Sequence, residues 1–200
     1  MHLLHLDSSI LGADSVSRQL SAAVVARLRG SDTTVTTRDL AATPLQHLSS
    51  AHLAAAAGVP ADAALTADIA AGQAALAEFL AADTVVIGMP LYNFTVPSQL
   101  KAWIDRVLIA GQTFRYTATG PEGMAGGKRV IVAVASGGVY AAGTPQGAAE
   151  HGASLLHTVF GFMGIPHIET IVADGLKVSP EAREVSIAQA HAVIAGLPLA

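Results

Sequence analysis

Five short apolar runs punctuate the chain, and between them the apolar positions fall into helical spacing. Residues 2–7, 33–39, 84–89, 128–135 and 167–173 have strand length. The third and fourth runs, TVVIG and RVIVAVA, are apolar without alternation. That is the pattern of parallel strands covered on both faces. Helical spacing occupies 15–29, 63–81, 97–110, 148–163 and 180–195. Val16, Leu20, Ala23, Val24 and Leu28 share one face of the first helix, and Leu100, Trp103, Ile104, Val107 and Leu108 one face of the third. The last opens with Ser179 as N-cap and Pro180 in its first turn. Strands alternating with helices predict a doubly wound α/β fold, a five-stranded parallel sheet with helices on both faces. Right-handed crossovers favour the strand order 2-1-3-4-5. No linker, repeat or charge block divides the chain, so residues 1–200 are expected to form one domain. One irregular stretch, 112–127, carries Phe114 and Tyr116 spaced to project on one side.

Composition narrows the function classes. With 52% hydrophobic and 13% charged residues the chain is globular, and much of the apolar fraction is alanine around residues 52–83. The net charge is −4, and no basic patch interleaves with aromatics, which argues against nucleic acid. No apolar run approaches the ~18 residues of a membrane span. The opening MHLLHLDSS is too soon interrupted for a signal-peptide core, and there is no cysteine. Cytoplasmic residence is therefore expected, and redox chemistry would need a bound cofactor. His2 and His5 point to opposite faces of a strand, while His151 and His157 share no helix face, so no metal site is expected. GPEGMAGGK precedes a strand and lacks Walker spacing, and no G-x-S-x-G elbow exists. A phospho-receiver would use Asp7, but strand three ends in Met89-Pro90 rather than an acid.

Ligands of open parallel sheets bind beyond the carboxyl ends of the strands, at the switch point of strand order. Three loops meet there: SSILGADSVS after the first strand, PLYNFTV after the third, ASGGVY after the fourth. Ser9, Ser15 and Ser17 offer hydroxyls at a helix N-terminus, which attracts phosphate. Taken alone, Ser15 reads first as a helix cap, and it is the three serines in one loop that turn the reading towards phosphate. Gly137 and Gly138 let backbone approach a planar ring, or simply make a turn. Tyr92 and Phe94 would wall a ring or cap the core. Asn93 between them, if buried, needs hydrogen-bond partners.

These same segments carry a resemblance. SSILGADSVSRQL, PLYNFTVPSQLKAWIDRVLIAGQTFRYTATGPEG and ASGGVY, in this order over nearly the whole chain, resemble the FMN-dependent NADH:quinone oxidoreductases, also called FMN-dependent azoreductases. The resemblance implies a flavodoxin-like fold, a homodimer and one non-covalent FMN per chain. It also implies ping-pong hydride transfer from NADH or NADPH to quinones and azo compounds, azo cleavage to two amines consuming two NADH. Carried onto this chain, it gives Ser9, Ser15, Val16 and Ser17 to the phosphate and Leu91, Tyr92, Asn93 and Phe94 to the flavin ring. Leu91 stands where methionine is usual. Ala135, Ser136, Gly137 and Gly138 form the third segment, without the arginine common before the glycine pair. Because FMN carries the chemistry, no catalytic side chain is expected. Phe114, Tyr116, Phe160 and Phe162 are candidate walls for the substrate, although core or dimer packing accounts for each equally well. A mean hydropathy of +0.49 with so little charge also favours a covered interface. The alternative is a flavodoxin-like electron carrier with no substrate of its own, which the weak acidity supports poorly.

Overall fold

The computed structural model describes residues 1–199. In chain order its elements are β1 (His2–Asp7), α1 (Val16–Leu28), β2 (Thr34–Asp39), α2 (Ser50–Ala56), α3 (Ala63–Ala81), β3 (Thr84–Pro90) and α4 (Ser98–Val107). There follow β4 (Phe114–Thr117), β5 (Gly120–Gly123), β6 (Arg129–Ala135), α5 (Gly152–Phe162), β7 (Ile168–Ala173) and α6 (Pro180–Ala195). Five strands pair in parallel in the order β2-β1-β3-β6-β7, and β4 and β5 form a separate antiparallel hairpin. With the hairpin left out of the count, this is the expected order.

All seven residues of β3 are buried, so the strand is central in fact as well as in order. Its register runs from Leu3↔Thr84 to Asp7↔Gly88 on one side and from Thr84↔Arg129 to Pro90↔Ala135 on the other. The carboxyl ends of β1, β3 and β6 therefore finish side by side. One core lies under α3, α4 and α5, around Phe79, Trp103 and Phe160; the other lies under α1 and α6, around Leu20, Val24 and Ile194. No helix among the described residues is long and apolar enough to cross a membrane.

The close seating of α1 depends on Gly88. A Cβ there would stand 2.7 Å from Asp7 Oδ1, 2.8 Å from Ser21 Oγ and 3.0 Å from Ser17 O. Only glycine leaves room for the helix to enter.

Element ends differ from the sequence reading for local reasons. Helix α5 begins at Gly152, not 148, because the Glu150 carboxylate accepts the N–H groups of Gly152, Ala153 and Ser154 at 2.9, 2.8 and 3.2 Å. Helix α4 ends at Val107, whose carbonyl accepts Thr113 Oγ1–H at 2.7 Å, and Gly111 at φ +80° turns the chain. The stretch 112–127 contains the hairpin, which the four-residue segments FRYT and GPEG do not announce by any apolar alternation.

One expected wall of a substrate site is a core residue. Phe160 is fully buried, 6.2 Å from the Phe79 ring, which in turn meets Trp103 edge-on at 5.8 Å. Truncating a ring in such a site leaves a cavity with little room to collapse. Phe160→Ala should lower the unfolding free energy by about 3–5 kcal/mol in urea titrations. A loss near zero would return Phe160 to the surface.

Candidate functional site

The first loop is held by a charged clamp. Arg18, in the first turn of α1, turns back so that Nε and Nη2 donate to Ser9 O at 3.2 and 2.8 Å. Its other face meets Asp39 at the end of β2 in a bidentate pair, both contacts 2.7 Å. Hydrogen bonding from Arg18, assisted by the Ala41 and Ala42 N–H groups, outweighs burial and lowers the Asp39 pKa to about 2. Below the clamp, Ser21 Oγ donates to Asp7 Oδ1 at 2.9 Å and meets His5 Nε2 at 2.9 Å. The loop's shape is thus set by buried polar groups beneath it.

Ser15 is the N-cap of α1, with Arg18 N–H donating to its Oγ at 3.4 Å. The Ser15 and Ser17 hydroxyls lie 3.0 Å apart, and Ser9 Oγ lies 3.1 Å from the Tyr92 hydroxyl. The first N–H groups of the helix, at Val16 and Ser17, have no intrahelical acceptor and face an anion-attracting end.

The second loop is a tight turn. Tyr92 N–H donates to Thr95 O at 3.0 Å and Thr95 N–H to Tyr92 O at 3.1 Å, with φ of +47° at Asn93 and +73° at Phe94. Two left-handed residues in succession make a type I′ turn, in which asparagine is at home and phenylalanine is not. Asn93 is exposed, so the turn rather than burial accounts for the amide. Holding a bulky residue at positive φ costs about 1–3 kcal/mol, which the surrounding contacts must offset. Phe94 O accepts His151 N–H at 2.8 Å, and its half-exposed ring meets Tyr140 edge-on at 6.0 Å.

The third loop is tied to the second and to the β7–α6 connection. Leu91 N–H donates to Ala135 O at 2.8 Å. Ser136 turns its hydroxyl back onto Gly138 O at 2.9 Å. A Cβ at Gly137 would meet Lys177 Cδ at 3.1 Å, and one at Gly138 the Tyr140 ring at 3.1 Å.

A cavity of about 200 Å³ touches all three loops: Ser9, Ser15 and Val16, then Leu91 and Tyr92, then Ala135, Ser136 and Gly137. Two neighbours share its walls. One, of about 600 Å³, runs past Tyr92 to Asn93, Ile10 and His47; the other, of about 440 Å³, runs past Leu91 and Ser136 to Tyr140 and Glu150. Ser17, Phe94 and Gly138 line none of the three, although each adjoins a lining residue. Sequence reasoning missed Lys177 and Arg183, which line the first cavity from the β7–α6 connection and the start of α6. The signal was available, since they follow the carboxyl end of the fifth sheet strand, the rule that found the other loops.

His47 reaches the larger cavity because its loop is pinned on both sides. Gln46 N–H donates to Asp68 Oδ1 at 2.8 Å and Gln46 O accepts Arg106 Nη2 at 3.0 Å. Asp68 also pairs with Arg106 and, at 3.0 Å, with His52 Nε2; Ser49 N–H donates to His52 Nδ1, leaving the ring proton on Nε2. Burial alone would raise the Asp68 pKa, but the hydrogen bonds from Gln46, His52 and Arg106 lower it below its ordinary value.

The candidate substrate aromatics divide. Phe114 meets Tyr116 at 5.5 Å and Phe162 at 4.8 Å, a cluster on the hairpin in which Tyr116 is 74% exposed, while Phe160 lies in the core. None of the four lines the three cavities.

A family model for the flavodoxin-like fold matches residues 1–196. An FMN-dependent NADH:quinone oxidoreductase of Bradyrhizobium diazoefficiens is 60% identical over 192 residues, 95% of each chain. The chain belongs to the flavodoxin-like FMN-dependent NADH:quinone oxidoreductase family. A second family member, from Xanthomonas campestris pv. campestris, is 56% identical over 204 residues and the full length of both chains. The crystal structure of an azoreductase from Bacillus anthracis strain Sterne superposes with a TM-score of 0.84 at 29% identity, over 98% of this chain and 100% of that one. An FMN-dependent NADH-azoreductase of the Ames Ancestor strain, solved in complex with FMN, gives 0.85 at 26% identity over 96% and 97% of the two chains.

Two measurements check this site. Ionised Asp39 stabilises the fold above its unfolded pKa near 3.8, and that stability is lost as pH falls towards 2. The shift corresponds to at most about 2.5 kcal/mol, which solvent screening of a side chain 34% exposed cuts to about 1 kcal/mol. The stability gap between the wild type and Asp39→Asn should therefore be open at neutral pH and close on acidification. At position 93, glycine keeps the turn while removing the amide. If the amide meets the cofactor, Asn93→Gly should weaken FMN binding by about 1–3 kcal/mol without loss of fold stability. Unchanged FMN affinity would reduce Asn93 to a turn residue.

Proposed function

We propose that this chain is an FMN-dependent oxidoreductase that takes hydride from NADH or NADPH and reduces quinones and aromatic azo compounds, the latter to amines. The observation that carries the reading is the meeting of three loops on one crevice at the carboxyl ends of β1, β3 and β6. The donor set suits FMN. Hydroxyls of Ser9 and Ser15 beside the free N–H groups of Val16 and Ser17 suit a phosphate, and no dinucleotide fingerprint is present to hold an adenosine half. Leu91, Tyr92 and the chain from Ala135 to Gly138 offer a slot for a flat ring, with Asn93 and Phe94 at its rim. Held by these loops, FMN would supply the two-electron chemistry that links the nicotinamide donor to the second substrate.

The protein's part is to position and to exclude water. Arg18 fixes Ser9, the I′ turn fixes Tyr92 to Phe94, and the Asp68–Arg106 pair fixes the loop carrying His47. No side chain is assigned a proton-transfer role.

We infer further that the whole chain acts as one domain, that it resides in the cytoplasm and that two copies form the working unit. Support for the dimer comes from an apolar face around a cavity of about 520 Å³ between α2, α3 and α4. Leu53 and Leu48 stand 70% and 48% exposed there. Apolar faces of this kind are commonly interfaces. The Phe114, Tyr116 and Phe162 cluster is a second apolar feature that a partner would cover.

Purified protein should be yellow, release FMN rather than FAD on heating, and oxidise NADH with menadione as acceptor. Light scattering should give about twice the chain mass of 20.3 kDa. Binding FMN without NADH-driven turnover would support the electron carrier instead.

A further inference from the structure

The chain has eleven lysines and arginines, and most are engaged with carboxylates or carbonyls of the fold. Among the described residues, only Arg29, Lys177 and Arg183 have side chains without such a partner. Arg29 sits at the far end of the molecule, against Met1 and Asp32. The other two line the same cavity of about 200 Å³ as Ser9, Ser15 and Val16. Lys177 is exposed and Arg183 partly buried, so each carries to this cavity a charge that no acceptor of the fold engages.

Both positions are built rather than incidental. Gly175, at φ +65°, turns the chain so that three successive N–H groups dock on the third loop: Gly175 on Gly138 O, Leu176 on Ser136 O and Lys177 on Gly137 O, at 2.9, 3.1 and 3.0 Å. Gly137 leaves the channel in which the Lys177 stem lies; any Cβ there would press on Lys177 Cδ and Cγ at 3.1 and 3.3 Å. Arg183 stands in the first turn of α6, its N–H bonded to Ser179 O at 3.0 Å. Against the two cations and the positive end of α1, the cavity has one carboxylate, Asp14, which forms no ion pair with either. The balance suits a dianion.

We propose that Lys177 and Arg183 neutralise the phosphate of the flavin nucleotide, a role for which the sequence offered only serines and a helix end. The proposal rests on the reading that this crevice holds FMN. Ser136 brings no charge to its own loop, so these cations arrive from the next connection along the sheet.

The test compares FMN with riboflavin, which has the ring but no phosphate. Apoprotein of the wild type, Lys177→Gln, Arg183→Gln and the double variant is titrated with each flavin, following quenching of flavin fluorescence. Each single variant should bind FMN about tenfold more weakly, with riboflavin affinity unmoved. The double variant should lose most of the wild type's preference for FMN and most of its salt dependence. Lys177→Arg and Arg183→Lys should restore binding in large part. Unchanged FMN affinity in the double variant would overturn the proposal. So would an equal loss for both flavins, since that places the cations at the ring or in the fold. A wild type that binds neither flavin overturns the FMN reading itself, a result distinct from either.

Discussion

The approach of α1 to the sheet over Gly88 is the constraint on which the site depends. Because the glycine has no side chain, Ser17 and Ser21 of the helix and Asp7 of β1 all come within 3.0 Å of where its Cβ would be. That seating aims the start of α1, with its unbonded N–H groups, along the end of β3. It also brings Arg18 within reach of Asp39 and of the Ser9 carbonyl. A helix lifted by one methyl group would carry all of these away together, since protein interiors have no slack to absorb the shift.

The charges are arranged in two tiers. Beneath the loops, ion pairs are closed within the protein: Arg18 with Asp39, and Asp68 with Arg106. Such pairs contribute definition of shape more than net stability, because desolvation offsets most of their attraction. Facing the cavity, Lys177 and Arg183 are left open. Closed pairs hold geometry, and open charges are what a ligand meets.

Much of the fold was legible from period alone. The buried runs of β3 and β6 are long and unbroken, and the α1 and α4 stripes hold their spacing, so pattern and packing agree. The hairpin escaped because FRYT and GPEG have no alternating face, and α2 because seven residues, SAHLAAA, carry too little pattern to separate from the alanine-rich stretch that follows. In the site, the loops after the first, third and fourth sheet strands were readable as chemistry, whereas Lys177 is an ordinary exposed lysine until the register places it over Gly137. Phe160 and Phe162 look alike in sequence, two positions apart on a helix. Helical geometry sends one to the core and the other to the hairpin. Asn93 was noticed for its amide, but its left-handed backbone is a property that no neighbouring residue announces.

The turn at Asn93 and Phe94 has a consequence for the thermodynamics of ligand capture. Its two left-handed residues are closed by a reciprocal pair of hydrogen bonds and anchored through Phe94 O to the His151 N–H, so contacts within the fold offset the conformational penalty and place it in folding rather than in association. A ligand meeting this rim has no loop to order, and its binding entropy is correspondingly less unfavourable. The same rigidity narrows the range of shapes the rim accepts.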